Sequence, residues 1–261
     1  MKLIKRIYVF FFTRNLFFPI NKFLFKHSLY GMGILNFEND KVSGESFFID
    51  LFLKNQPNKV IFDVGANVGN YSATLRQKGY LGQIFAFEPH PTTFIQLTKL
   101  AEQFNFNAIN SGLGKCKEKV FIYDYANNKG SQHASLYKDV ITEIHHSSYQ
   151  QTEIELTTVD DFILENKINK IDLLKIDTEG NELSVLQGAQ QAIEKGMIQF
   201  IQIEFNEMNI VSKTFMKDIF KILPGYKFYR LLPTGLLPLK DLQPVLLEIF
   251  AFQNIIAIKN N

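Results

Sequence analysis

From residue 59 onward, short apolar runs of five or six residues alternate with longer stretches in which apolar residues return every three or four positions. The first pattern predicts buried strands and the second amphipathic helices. On this spacing a strand covers 59–64, a helix 69–78, a second strand 83–88, a helix 91–104 and a third strand 106–111. Gly79 and Gly82 bracket the turn into the second strand, and Pro89 and Pro91 open the helix after it, where a proline loses no hydrogen bond. The alternation then breaks. An extra strand is expected at 119–125, a polar loop at 126–150, a strand at 152–159 and a short helix at 159–166. It resumes with a strand at 171–176, the turn Asp177-Thr-Glu-Gly180, a helix at 182–194 and a strand at 198–205. A helix at 212–222 and two last strands, 226–232 and 252–258, complete it, with the proline-bearing segment between them (Pro233, Pro238, Pro244) read as a loop. Ahead of all this, Ser43-Gly-Glu-Ser46 starts a helix over 47–54 that Gln56-Pro57-Asn58 stops.

Strands alternating with helices predict one doubly wound α/β domain over residues 43–261, preceded by a helical extension over 1–42. The insertion at 115–157 follows the third strand, near the carboxyl edge where such sheets bind ligands. With 28 basic against 26 acidic residues, the chain offers no overall electrostatic case for nucleic acid. Its single cysteine, Cys116, excludes an intramolecular disulfide and a cysteine zinc cage.

Charge is uneven at the start. Residues 1–36 carry Lys2, Lys5, Arg6, Arg14, Lys22 and Lys26, no acid, and seven Phe. The apolar run 7–12 is too short for a signal peptide, and Arg14 and Lys22 interrupt any membrane span. The expectation is an arm whose aromatic side packs on the domain; the alternative is a segment lying on anionic lipid.

The chemistry centres on Val60-Ile-Phe-Asp-Val-Gly-Ala-Asn-Val-Gly-Asn70, a strand running into a glycine turn, with Glu88 ending the next strand. That is the first half of a nucleoside-binding unit. A dinucleotide fingerprint needs a further glycine between the two so that backbone can approach a pyrophosphate. Here Ala66-Asn67-Val68 separates Gly65 from Gly69, and Asp63 precedes them. A carboxylate beside a diphosphate is unfavourable, but it suits a cofactor bearing an ammonium and a sulfonium, such as S-adenosyl-L-methionine. Glu88 is placed to accept from ribose hydroxyls. A nicotinamide oxidoreductase on the same fold class, and a non-catalytic membrane-associated module, are the alternatives.

Together with Phe87-Glu-Pro89, Thr158-Val-Asp-Asp-Phe162 and Leu174-Lys-Ile-Asp-Thr-Glu-Gly-Asn-Glu182, this motif resembles the FkbM family of S-adenosylmethionine-dependent methyltransferases over about residues 43–260. The resemblance implies a class I methyltransferase fold, a Rossmann-like sheet of seven strands with the last antiparallel. It implies O-methylation of a sugar or natural-product hydroxyl. It also implies that Asp63, Gly65, Asn67 and Gly69 form the cofactor turn, that Glu88 holds the ribose and that Ser111-Gly-Leu113 lies along the adenine. Nothing carries over to the N-terminal 42 residues.

Asp177, Glu179 and Glu182 form a second carboxylate group beyond the strand at 171–176, on the same edge as Asp63 and Glu88. Methyl transfer to an alcohol requires alignment and removal of the hydroxyl proton. Asp177 either anchors the methionine ammonium or acts as base, and Glu179 is the other candidate base. Glu182 is assigned to the helix dipole. Lys175 faces the same end, and Glu204 with Asn206 reaches this edge. His133 is the one histidine placed where an acceptor enters. No metal site is assigned: His145-His146 lacks a helical ligand spacing, and Asp177 with Glu179, which a divalent cation could use, are only two carboxylates on one turn. The sequence reads as a cytoplasmic O-methyltransferase acting on a small molecule, saccharide or glycan precursor, with no nucleic-acid partner and with peripheral membrane contact through 1–36 as the alternative for the arm.

Overall fold

The computed structural model describes residues 2–54, 59–127 and 130–260. The expected helix stop at Gln56-Pro57-Asn58, and Lys129 at the start of the His133 loop, lie outside the described residues. In chain order the strands are β1 (Val60–Val64), β2 (Gln83–Phe87), β3 (Asn107–Ile109), β4 (Gly112–Leu113), β5 (Glu118–Tyr125), β6 (Tyr149–Thr157), β7 (Ile171–Ile176), β8 (Ile198–Phe205), β9 (Tyr226–Leu232), β10 (Gly235–Pro238) and β11 (Gln253–Lys259). The main sheet runs β10-β9-β11-β8-β7-β1-β2-β3. Its centre is parallel, and β11 is antiparallel to both β8 and β9.

Successive residues of the central strands feed opposite faces, which is why these strands read as unbroken apolar runs. Phe62, Leu174 and Ile203 join one buried cluster, while Ile61, Leu173 and Ile256 join another. The chain leaves β1 towards β2 on one side and returns at β7 on the other. The crevice between β1 and β7 is therefore the switch point of the sheet, where such folds bind ligands.

The class I arrangement stands, with one more strand than expected. The segment read as a loop after residue 232 turns at Pro233-Thr234 and pairs back on β9 as β10. β10 is an edge strand, so Pro238 at its end loses no sheet hydrogen bond. The expected helix at 182–194 is two helices, Glu182–Gln187 and Gln190–Glu194. Gly188 caps the first of them, and a Cβ there would overlap the carbonyl oxygen of Gly114. The helix expected at 212–222 spans Met216–Ile222, after a separate turn at Met208–Val211. Helix formation at 45–53 is as expected in place, but its second half, Ile49–Leu53, is a π-helical turn. The insertion is a second sheet, β4-β6-β5, beside the crevice.

The arm overturns its expectation. The helix Lys2–Phe12 buries no residue, and the helix Phe18–Gly31 buries only Leu29. Phe10 is 67% exposed and Phe25 64%. Only the root engages the domain. Ile34 is buried, Leu35 N–H donates to Phe252 O at 2.8 Å, and Arg230 donates to Met32 O at 3.3 Å. Phe10, Phe11, Phe18, Phe23 and Phe25, ahead of the root, are left exposed, and Phe12 and Phe17 pack on each other.

Candidate active site

Asp63 stands opposite Lys175 in the β1–β7 register, so two charged side chains are buried side by side in the crevice. Ser72 Oγ donates to Asp63 Oδ2 at 2.7 Å. Asp63 Oδ1 has no hydrogen bond and faces Lys175 Nζ at 3.7 Å. Burial pushes the Asp63 carboxyl up, and the lysine pulls it back. Lys175 Nζ lies 3.1 Å from Asp177 Oδ2. Burial pulls the ammonium down, but Asp177, Asp63, Glu45 and Glu204 outweigh it and leave it above its ordinary value.

Glu45 and Glu204 are half-buried, and desolvation is the main cause that raises both. Gln202 Nε2 bridges Glu45 Oε1 at 2.8 Å and Asn254 Oδ1 at 3.2 Å, while Asn206 Nδ2 donates to Glu204 Oε1 at 2.9 Å. In the sequence Glu45 is marked only as part of a helix start. Gln202 is missing from the expected site residues, although a polar residue between Ile201 and Ile203 in a buried strand is a signal that something polar must meet it.

The glycine turn connects β1 to the helix Asn70–Gln77. Gly65 has φ +77, and a Cβ on it would overlap the carbonyl oxygen of Asp177. Gly69 has φ +95, and a Cβ on it would sit 2.8 Å from Leu97. Both glycines are thus required by the protein's own packing. Asn67, between them, is left-handed at φ +51, and its N–H donates to Glu88 Oε2 at 3.0 Å. Glu88 Oε1 accepts from His90 N–H at 2.7 Å. Burial nevertheless pushes the Glu88 carboxyl up to about 7, against the pull of those two bonds. Leu113, on β4, is buried and forms part of the wall beside Glu88.

Across the crevice, Glu179 adopts φ +53, a strained conformation for a non-glycine residue, and Gly180 follows at φ +108. Two ties hold it. Ser135 Oγ donates to Glu179 O at 2.7 Å, and Glu182 Oε1 accepts from Thr178 N–H, Thr178 Oγ1 and Gly180 N–H, each at 3.0 Å. Asn209 Nδ2 donates to Glu182 Oε2 at 2.8 Å. Glu182 is therefore the buried organiser of the turn, beyond complementing a helix end.

Ser135 also pairs with Tyr123 on β5, which lays the loop 130–137 over the turn. That loop sets His133 Nδ1 3.6 Å from Glu179 Oε1. Burial pushes Glu179 up to about 7, against the pull of His133; the Glu179 carboxyl beside it raises His133. His145 lies against His133, ring centroids 4.7 Å apart, and is lowered by burial and by that neighbour.

These groups line one cavity of about 700 Å³, room for a nucleoside-sized ligand and part of a second molecule. Eight carboxylates line it (Asp40, Glu45, Asp63, Glu88, Asp177, Glu179, Glu204 and Glu207) against one lysine, Lys175, and one histidine, His133. Of the residues expected to form the cofactor turn, hold the ribose, lie along the adenine or act as base, all line this cavity except Gly69 and Ser111. A cationic ligand with hydroxyl groups suits this lining, and an orphaned buried oxygen on Asp63 awaits a donor. Among the described residues no group of three or more His, Cys, Asp or Glu side chains is placed to hold a metal ion.

The sequence model described as Methyltransferase FkbM domain matches residues 63–228. The hexuronic acid methyltransferase AglP of Haloferax volcanii is 26% identical over 185 residues, 70% of each chain. The 2-O-methyltransferase NoeI of Sinorhizobium fredii is 21% identical over 192 residues, 70% of this chain and 78% of its own. Among solved structures, a putative rRNA methylase from Clostridium thermocellum aligns with a TM-score of 0.46 at 12% identity, covering 83% of this chain and 94% of that one.

Proposed function

We propose that this chain, which belongs to the FkbM methyltransferase family and is a methyltransferase, carries a methyl group from S-adenosyl-L-methionine to a hydroxyl of a saccharide or glycan precursor. The observation that carries the cofactor assignment is the lining of the cavity: eight carboxylates, one lysine, and Asp63 Oδ1 buried without a hydrogen bond. Two relatives named for sugar or O-methyl transfer, AglP and NoeI, support the acceptor class. The same lining disfavours a pyrophosphate cofactor and a nucleic-acid acceptor, whose phosphates it would repel.

When bound, the cofactor supplies an electrophilic methyl carbon. Asp63 Oδ1 and Asp177, both beside Lys175 Nζ, would receive its ammonium. Glu88 keeps free lone pairs for the ribose hydroxyls after accepting from Asn67 and His90. Gly65, Asn67 and Gly69 form the turn that would hold it, and Leu113 would offer an apolar surface to its adenine. Glu179 takes the acceptor's hydroxyl proton. Its raised carboxyl, at about 7, matches general-base work near neutrality. Asp177 shares the catalytic turn and orients both ligands.

This reading places the enzyme in the cytoplasm, with residues 1–36 in peripheral contact with a membrane. No helix among the described residues is long and apolar enough to cross one. Calorimetry with S-adenosyl-L-methionine and its demethylated product tests the cofactor; absence of binding by the folded protein would sink the assignment. Radiolabelled methyl transfer over a panel of saccharides tests the acceptor.

A further inference from the structure

The arm and the mouth of the cavity share a rim. Leu35 and Phe37, just beyond the arm's second helix, line the cavity together with Phe252. Phe37 is 64% exposed and packs edge-on against Phe252, ring centroids 5.9 Å apart. The buried Arg230 ties this region together. Its guanidinium donates to Met32 O, to Leu246 O and to Gln253 Oε1. Val245 and Leu246, on the short helix Pro244–Leu247, are exposed beside the arm's root. An exposed apolar surface thus runs from the arm onto the domain and stops at the cavity.

The arm's charge identifies what could cover that surface. All six of its Lys and Arg side chains are exposed, and residues 1–36 contain no acid. The aromatic and aliphatic side chains between them, Leu3, Ile4, Phe10, Phe11, Phe23 and Phe25, are each at least half exposed. Cations interspersed with exposed Phe suit the boundary between anionic head groups and acyl chains. The helices are about 16 and 21 Å long at 1.5 Å per residue, too short to cross a core of about 30 Å, so they lie on it.

We propose that the arm docks the protein on an anionic lipid bilayer and brings the cavity rim at Phe37 to the lipid surface, so that the acceptor is a saccharide held at that surface. The orientation rests on the proposed reading of the cavity as the methyl-transfer site, but the docking can be measured without it.

The experiment uses the full chain with vesicles of phosphatidylcholine alone or mixed with phosphatidylglycerol. Flotation is expected with the mixed vesicles, at least about tenfold more than with phosphatidylcholine alone, and is expected to be lost in K5E/R6E and in F10S/F11S. These residues are exposed and touch nothing in the domain, so the variants keep the fold and their binding of S-adenosyl-L-methionine by calorimetry. In a Cys116→Ser background, an environment-sensitive dye on Phe37→Cys shifts to the blue on docking, while the same dye on Leu164→Cys, also exposed, does not. No flotation overturns the proposal, as does self-association through the arm in its place. Flotation with an unshifted Phe37 dye overturns the orientation. None of these outcomes bears on cofactor binding, so the methyltransferase reading stands or falls separately.

Discussion

Asn67 donates its backbone N–H to Glu88 Oε2 at 3.0 Å, so the carboxylate ending β2 clasps the glycine turn that follows β1. Glu88 acts on the site twice: it shapes the turn, and it presents its remaining lone pairs to the cavity. Truncation should therefore cost more than a lost ligand contact. Glu88→Ala is expected to weaken S-adenosyl-L-methionine binding by about tenfold to a hundredfold, from the roughly 1.5–3 kcal/mol carried by a hydrogen bond to a charged group. Calorimetry measures it, and an unchanged affinity would remove Glu88 from the cofactor site.

The same carboxylate sets a pH dependence of stability. Its folded pKa, about 7, lies above the ordinary 4.5 because burial penalises the charge. The folded state holds this proton in the window from about 4.5 to 7, where the unfolded state has lost it. The contribution is present below that window and is lost as pH rises through 7. A shift of this size is worth roughly 3 kcal/mol. Glu88→Gln, which cannot ionise, should flatten the fall in melting temperature between pH 5 and 8, as read by thermal scans of the cofactor-free protein.

Much of this was legible because buried parallel strands announce themselves. β1, β2 and β7 are apolar runs whose ends carry Asp63, Glu88 and Asp177, so the carboxyl edge could be drawn from sequence alone. Contacts between strands were not. That Lys175 sits opposite Asp63 depends on a register between segments more than a hundred residues apart, and no spacing encodes it. Glu45 reaches the site only because the lead-in helix folds against Gln202. His133 meets Glu179 only because Ser135 tethers the loop to the turn. The arm misled for a different reason. Phe is usually core, and composition does not reveal that these side chains stay exposed ahead of the arm's root.

Lys175 is the one lysine in a cavity rich in carboxylates, and removing it should expose how much they repel one another. Lys175→Met leaves Asp63 and Asp177 without their partner, and breaking a buried pair from one side costs roughly 3–5 kcal/mol. Replacing both members, Lys175→Met with Asp63→Asn, should cost less than the lysine change alone, since no uncompensated charge is left on Asp63. Urea unfolding of the single and double variants checks this. A double variant less stable than Lys175→Met would show that the pair is not coupled.

Glu179 and His133 make the sharpest test of the chemistry. The carboxyl at about 7 and the imidazole 3.6 Å away titrate as a pair, so their protons leave in steps that belong to both. If Glu179 takes the hydroxyl proton, kcat/KM rises with pH through about 7 and levels off once the pair has released its first proton. Glu179→Gln should lower kcat by about 10²- to 10⁴-fold, the usual worth of a general base, and abolish that rising limb while leaving cofactor affinity near wild type. His133→Asn removes a group that pulls the Glu179 pKa down. The limb should then move to higher pH, with part of kcat recovered in alkaline buffer. Those two shifts differ in kind, loss of the limb against displacement of it, and pH–rate profiles of the two variants separate the base from the residue that tunes it. A Glu179→Gln enzyme with wild-type kcat would hand the role to Asp177.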